Sequence, residues 1–142
     1  MNGQVTPSTQ DVIAVAEFRS ALRHFLRRSE KIARRSGLTP QRYTLLMMIK
    51  GSRDGREQST VTELAERLQL AQSTVTELVR RAESAGLIER EQSQRDARVA
   101  HLRLTAEGDR RLMLSFTALE QEREQLREAF AALEGGAVGA AR

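Results

Sequence analysis

Residues 60–90 read TVTELAERLQLAQSTVTELVRRAESAGLIER, and residues 91–105 continue as EQSQRDARVAHLRLT. Two short amphipathic helices are written into the first part. Thr60 and Glu63 form a capping box, in which each side chain satisfies a backbone N–H that a helix start leaves without a partner. Leu64, Ala65 and Leu68 follow at helical spacing. Gln69-Leu70-Ala71 is the turn. The next helix is expected from about Gln72 to Ala85, with Val75, Leu78, Val79 and Ala82 facing inward and Gly86 ending it. Leu87-Ile88 then opens a strand. In the returning strand Ala100, Leu102 and Leu104 alternate with Val99, His101 and Arg103, the period-two pattern of a half-buried strand. Between the strands lies a polar tip that carries arginines. The stretch therefore predicts a helix-turn-helix followed by a two-stranded β-wing. A helix sized for a major groove, beside an Arg-bearing loop sized for a minor groove, points to nucleic acid.

Helical patterns flank this stretch on both sides. From Asp11 to Arg35, Val15, Phe18, Leu22, Phe25, Leu26 and Ile32 form one apolar stripe, and Gly37 ends the helix. Arg19, Arg23, Arg27 and Lys31 repeat every four residues on another face, which reads as a solvated or dimer-adjacent surface. A second helix opens with Thr39 as its cap and Pro40 at its first position. It carries Tyr43, Leu46, Met47 and Ile49, and the polar loop 51–58 follows. After the wing, Thr105 caps a last long helix through Leu112, Phe116, Leu119, Leu126, Phe130 and Leu133 to Gly135. The first ten residues and the tail GGAVGAAR read as frayed ends. The order is four helices, a hairpin and a final helix. Residues 1–37 and 107–142 are expected to be dimerisation segments around a DNA-binding domain at 38–106. Neither long outer helix has a partner in one chain large enough to bury its apolar face, so they are expected to pair with each other and with a second chain.

Composition sets the outer bounds. The chain has 142 residues, 39% hydrophobic and 30% charged, with 4% aromatic, no Trp and no Cys. That suits one compact domain or two small lobes with an aliphatic core. Without Cys there are no disulfides, thiolate metal sites or cysteine-based sensors. Two His, His24 and His101, far apart in sequence, do not make a metal site, and no cofactor is expected. No apolar run is long enough to span a bilayer and no signal peptide is visible, so a cytoplasmic location is expected. The formal net charge of +4 is weak evidence for an anionic partner. Its distribution is more useful. The first segment is basic, while the last carries Glu120, Glu122, Glu124 and Glu128, so the two are electrostatically suited to lie together. No nucleophile elbow, phosphate-binding Gly loop or paired carboxylates appear, and the chain does not read as an enzyme.

The segments QSTVTELVRR, AGLIER and RDAR-V, leading into LRLT-AEG, together resemble the MarR family of bacterial transcription regulators, over nearly the whole chain. The resemblance implies a homodimer joined through its terminal helices. Each subunit would present one winged helix to a pseudo-palindromic operator in double-stranded DNA. It also implies release by a small aromatic acid or similar lipophilic effector. Carried over to this sequence, Gln72, Ser73, Thr74 and Thr76 lie on the exposed start of the recognition helix, where the helix N-terminus also favours phosphate. Arg81 matches a basic position that reaches the DNA backbone or a base edge. Arg98 matches the wing arginine of the minor groove and Asp96 the aspartate that orients it. Arg95 is the second cation of the wing tip.

Three positions depart from the family's pattern. Ala71 stands where a Ser cap is frequent, Glu77 where Arg is common, and Arg80 where Asp is common. The last two amount to a charge swap on the face that meets DNA, with Arg80 kept among the candidate DNA contacts. The family's pocket position implies an effector site of Phe18, Arg19, Leu22, Arg23, Tyr43 and Met47, with Arg19 or Arg23 on a carboxylate; core packing is the alternative for each. The reading that follows is a mainly α fold with a small β-hairpin wing, in a dimeric DNA-binding regulator, most often a repressor. A winged helix used for protein–protein contacts and a non-specific DNA-architectural protein are the alternatives.

Overall fold

The computed structural model describes residues 5–139, with side chains to residue 135. Residues 1–4 and 140–142, the outer parts of the expected frayed ends, lie outside it. Six helices and three strands follow in the order α1 (Thr9–Arg35), α2 (Pro40–Lys50), β1 (Gln58–Ser59), α3 (Val61–Leu68), α4 (Gln72–Ser84), β2 (Ile88–Gln92), β3 (Ala100–Leu104), α5 (Ala106–Ala118) and α6 (Glu120–Gly139). They divide into two compact units, one of residues 1–31 with 118–142 and one of residues 32–117. Among the described residues no helix is long and apolar enough to cross a membrane, and no group of three or more His, Cys, Asp or Glu is placed to hold a metal ion.

The unit of residues 32–117 contains the helix-turn-helix and the wing. Its core is aliphatic: Leu45, Leu46 and Ile49 of α2, Leu64 of α3, Val75, Val79 and Ala82 of α4, and Leu87 and Leu102 beside and within the strands are fully buried. The α4 residues are the four positions, with Leu78, that the periodicity turns inward. Local chemistry sets the helix ends. Thr39 Oγ1 accepts from Arg42 N at 3.2 Å, and Pro40 follows as the first residue of α2. Thr60 Oγ1 accepts from Glu63 N at 3.2 Å, the first half of the expected capping box, while Glu63 Oε1 accepts from the Thr60 hydroxyl at 3.0 Å and not from its backbone N–H. Gly37 and Gly86 take φ of 75° and 74°, the left-handed conformation that ends a helix without a Cβ clash.

Beyond α6 running to Gly139, past the expected end at Gly135 and into the tail read as frayed, two features differ from the sequence expectation. The sheet has three strands, not two: Gln58 and Ser59 pair with Arg103 and Leu102, so the order is β1-β3-β2. Two residues are too few to show a period, and only the long-range pairing defines β1. The last helix is also two helices. The break is at Leu119, which is 1% exposed and whose carbonyl accepts from Arg123 N at 2.9 Å to start α6. No Gly or Pro marks it, and the apolar repeat runs straight through. The break falls where the chain passes from one compact unit to the other.

The junction between wing and α5 is held by one threonine. Thr105 Oγ1 donates to Gly86 O at 2.6 Å and accepts from Gly108 N at 3.1 Å, while Thr105 N donates to Leu87 O at 3.0 Å. Gly108 is buried against the Leu87 backbone, and a Cβ there would overlap the Leu87 carbonyl oxygen. Longer links brace the same unit. Arg67 of α3 donates to the Met48 and Gly51 carbonyls at 3.0 and 3.1 Å, satisfying the C-terminal end of α2. Lys50 Nζ sits 2.6 Å from Asp109 and 3.3 Å from Glu57.

In the other unit, α1 up to Lys31 lies with α6. The rings of Phe18 and Phe130 meet edge to face with centroids 6.0 Å apart. Arg28 Nε is 3.3 Å from Glu122 Oε1, so the expected attraction between the basic first segment and the acidic last one is realised by a residue outside the Arg19–Lys31 repeat. Glu124 is paired with Arg127 at 2.6 Å, which relieves the like charges on α6.

Candidate nucleic-acid interface

The exposed face of α4 follows from its buried one. At 100° per residue, Val75, Leu78, Val79 and Ala82 form one arc, and the opposite direction falls within about 30° of Ser73, Glu77, Arg80 and Ser84. Thr76 and Arg81 flank that line on either side. Gln72 and Thr74 lie further round, at the first turn, and Gln72 Nε2 donates to Thr62 Oγ1 of α3 at 3.3 Å. The first turn lacks a side-chain cap, because Ala71 holds cap geometry (φ −63°, ψ 146°) but has no acceptor. Its N–H groups remain open toward an anion.

Charge on this face is organised around Glu77. Arg80 Nη2 and Nε donate to its two carboxylate oxygens at 2.6 and 3.0 Å, and Arg81 Nε donates at 3.0 Å. The two arginines hold the Glu77 carboxyl down at about 2, the Arg80 hydrogen bonds being the larger cause. Against the family's pattern Glu77 and Arg80 stand as a swapped pair. The triad with Arg81 comes from the helix geometry, which sets residues three and four apart side by side.

The wing tip is built by short polar contacts. Ser93 Oγ accepts from Arg95 N at 3.2 Å and Asp96 N at 3.4 Å, while Ser93 N donates to Val99 O at 2.9 Å. Asp96 accepts from the Arg98 backbone N at 3.0 Å and from its Nε at 3.2 Å. These bonds, the backbone one first, lower the Asp96 carboxyl below its usual range. Arg98 is thus oriented by Asp96, yet its side chain is 91% exposed. Arg95 is exposed beside it. One contact has no sequence signal: Arg90 Nε of β2 donates to Glu83 Oε1 at 2.8 Å, tying the wing to the end of α4.

The model for the MarR family covers residues 36–99. Over that segment the chain is similar to the MarR family. The fold around it is also that of MarR transcription regulators. A mutant MarR from E. coli complexed with operator DNA has 18% identity and a TM-score of 0.67, covering 95% of this chain and 99% of that one. A mutant MepR from S. aureus bound to an oligodeoxyribonucleotide has 19% identity and a TM-score of 0.64, covering 88% and 95%. AbsC, a MarR family transcriptional regulator from Streptomyces coelicolor, has 22% identity and a TM-score of 0.62, covering 90% and 83%. No match is found among curated proteins by sequence.

The six candidate effector residues divide between the units: Phe18, Arg19, Leu22 and Arg23 lie in one, Tyr43 and Met47 in the other. Tyr43 is buried and Met47 half-buried in α2. Within the first unit, Arg23 lines a cleft with His24, Arg27 and Glu30. A neighbouring cleft of about 400 Å³ lies between α1 and α6, with His24, Arg27, Arg28 and Lys31 on one side and Glu122 on the other.

Proposed function

We propose that the chain is a homodimeric, sequence-specific DNA-binding transcription regulator that acts in the cytoplasm as a repressor on a pseudo-palindromic operator. The observation that carries this reading is the pairing, on one compact unit, of an α4 face pointing away from its own core with a wing that projects Arg98. Gln72, Ser73, Thr74 and Thr76 approach the DNA first, Arg80 and Arg81 follow along α4, and Arg95 and Arg98, set by Asp96, enter the flanking minor groove. A second copy is supported by apolar side chains left in water: Val12 at 61%, Ile13 at 47% and Val15 at 44% exposure on α1, and Phe130 at 48% on α6. Two copies set two recognition helices about one helical turn of DNA apart.

Fluorescence anisotropy on the DNA upstream of the chain's own gene, against a scrambled duplex, tests the proposal. Preference for the native duplex, with a log–log salt slope no steeper than about −7, is expected, because Arg80, Arg81, Arg95 and Arg98 of two copies can neutralise at most eight phosphates, and fewer where one of them reads a base. Equal affinity for both duplexes indicates an architectural protein, and no salt-sensitive binding indicates a protein–protein module. Release by a small aromatic acid or phenolic ligand completes the proposal. The cations lining the clefts of the first unit favour a carboxylate, and titrating salicylate-like acids against the labelled complex reads the release directly.

A further inference from the structure

We infer that Glu77 is a specificity-determining residue, which accepts a hydrogen bond from the N4 amino group of a cytosine and so demands a C·G pair in each half-site. The inference rests on the DNA-binding reading above and names the base that the α4 face selects.

Position is the first argument. Glu77 points within about 30° of the direction opposite the buried stripe of α4, so on a helix lying in a major groove it faces the groove floor, with the phosphates to either side. A carboxylate at the side would meet phosphates and repel them. On the floor it meets base edges, of which only some are donors.

Chemistry then narrows the base. An ionised carboxylate accepts and does not donate. Thymine O4, and guanine O6 and N7, are acceptors and are excluded. Adenine offers its N6 amino group, but N7 lies beside it and would face the second carboxylate oxygen. Cytosine presents the N4 amino group with no acceptor of its own next to it on that edge. The carboxylate is ionised throughout the range in which DNA is bound, because its two arginines hold it at about 2.

The arginines fit the same reading. Arg80 spends Nε and one Nη2 hydrogen on Glu77, and its other donors remain for an acceptor such as the O6 or N7 of the paired guanine. Arg81 spends Nε alone and flanks the line toward the strand, where its two Nη groups suit phosphate. Glu77 thus presents an acceptor next to a donor, the complement of a C·G edge. A surface ion pair serving helix stability alone has no need of this outward direction, since pairs three and four apart form equally well on the flanks of a helix.

The test is selection of bound duplexes from a randomised library by the full chain, with Glu77→Ala, Glu77→Gln and Arg98→Ala in parallel. The wild-type motif is expected to hold one C·G pair per half-site whose change to T·A weakens binding by about ten-fold, within the range of a single well-placed base contact. Glu77→Ala is expected to flatten that position to less than about two-fold, and Glu77→Gln to shift it toward adenine, whose N6 and N7 suit an amide. Arg98→Ala weakens all duplexes and keeps the cytosine preference. If Glu77→Ala binds with the wild-type base preference at every position, Glu77 does no more than hold the arginines and the inference is overturned while the regulator reading stands. If the wild-type chain selects no sequence, the regulator reading fails and the inference with it. Thermal melts of the variants, whose substitutions lie on an exposed face, confirm that each is folded.

Discussion

Replacing Gly108 by alanine tests how the wing is joined to the helix that follows it. A Cβ at this position lies 2.9 Å from the Leu87 carbonyl carbon and 3.3 Å from its Cα, and overlaps the carbonyl oxygen itself. The obstacle is backbone, which has no rotamer to change, so either the start of α5 or the start of the wing must shift. Such overpacking costs about 1–3 kcal/mol. The shift also strains the bond from Thr105 N to Leu87 O, 3.0 Å long, and losing it adds about 0.5–1.5 kcal/mol. Against this, alanine is the better helix former by up to about 1 kcal/mol, and less in a first turn. The net expectation is a loss of about 1–3 kcal/mol, or a fall in Tm of roughly 3–10 °C for a chain of this size. Circular dichroism melts at one fixed protein concentration measure it, since association makes Tm depend on concentration. Gly135→Ala is the matched control. Gly135 also lies in a helix, but nothing is within 4 Å of its added Cβ, so Tm should hold or rise slightly. A Gly108→Ala protein as stable as the Gly135→Ala one would refute the close approach and with it the account of the junction.

Three further outcomes are expected. Arg98→Ala should weaken binding to the native upstream duplex by about 1–3 kcal/mol in anisotropy titrations, with sedimentation of the free protein unchanged; altered assembly would mean that the wing tip has another role. Ala71→Ser gives α4 the acceptor its first turn lacks, in a backbone conformation already suited to a cap, and should raise stability by about 1 kcal/mol in urea unfolding; no gain would place the hydroxyl out of reach of the Thr74 N–H. The Glu77 carboxyl carbon, followed by NMR, should titrate near 2 and not near 4.5, because Arg80 and then Arg81 favour its ionised form. A depressed value means that whatever the triad adds to stability is fully present above pH 4.5 and is lost as pH falls toward 2. A midpoint at 4 or above would show that the triad is open in solution.

What the sequence made legible was local. The Thr60 cap on the Glu63 N–H, the glycine ends at Gly37 and Gly86, the missing cap at Ala71 and the inward set of α4 each depend on residues within a few positions of one another, where helix geometry leaves little freedom. What stayed hidden joins distant segments. Gln58 becomes a strand residue only beside Arg103, Arg67 finds the carbonyls of Met48 and Gly51, and Gly108 needs the Leu87 backbone as its neighbour. The break at Leu119 is the opposite case, a local event without a local signal: the apolar period continues across it while the chain changes units. At the interface the same division holds. The composition of the α4 face could be read from the sequence. That Arg81 as well as Arg80 closes on Glu77, and that Arg90 reaches Glu83, follows only from the folded chain.

These pairings change what the net charge implies. A free basic face attracts any polyanion by releasing its counterions, and binds all sequences with similar strength. Here Arg80 and Arg81 share Glu77, Arg90 has Glu83, and Arg98 has Asp96, so the candidate interface holds its own anions next to its cations. A phosphate or a base edge meets arginines whose charge is already partly offset by those carboxylates, and takes the N–H donors that remain. Non-specific attraction is thereby reduced, because each arginine brings a neighbouring carboxylate toward the phosphates with it. The contact is favourable where the carboxylate also finds a donor, and a major-groove floor supplies one only at certain base pairs. Paired charges of this kind cost affinity on arbitrary DNA more than on a matched site, which is the direction in which a reader of a single operator has to discriminate.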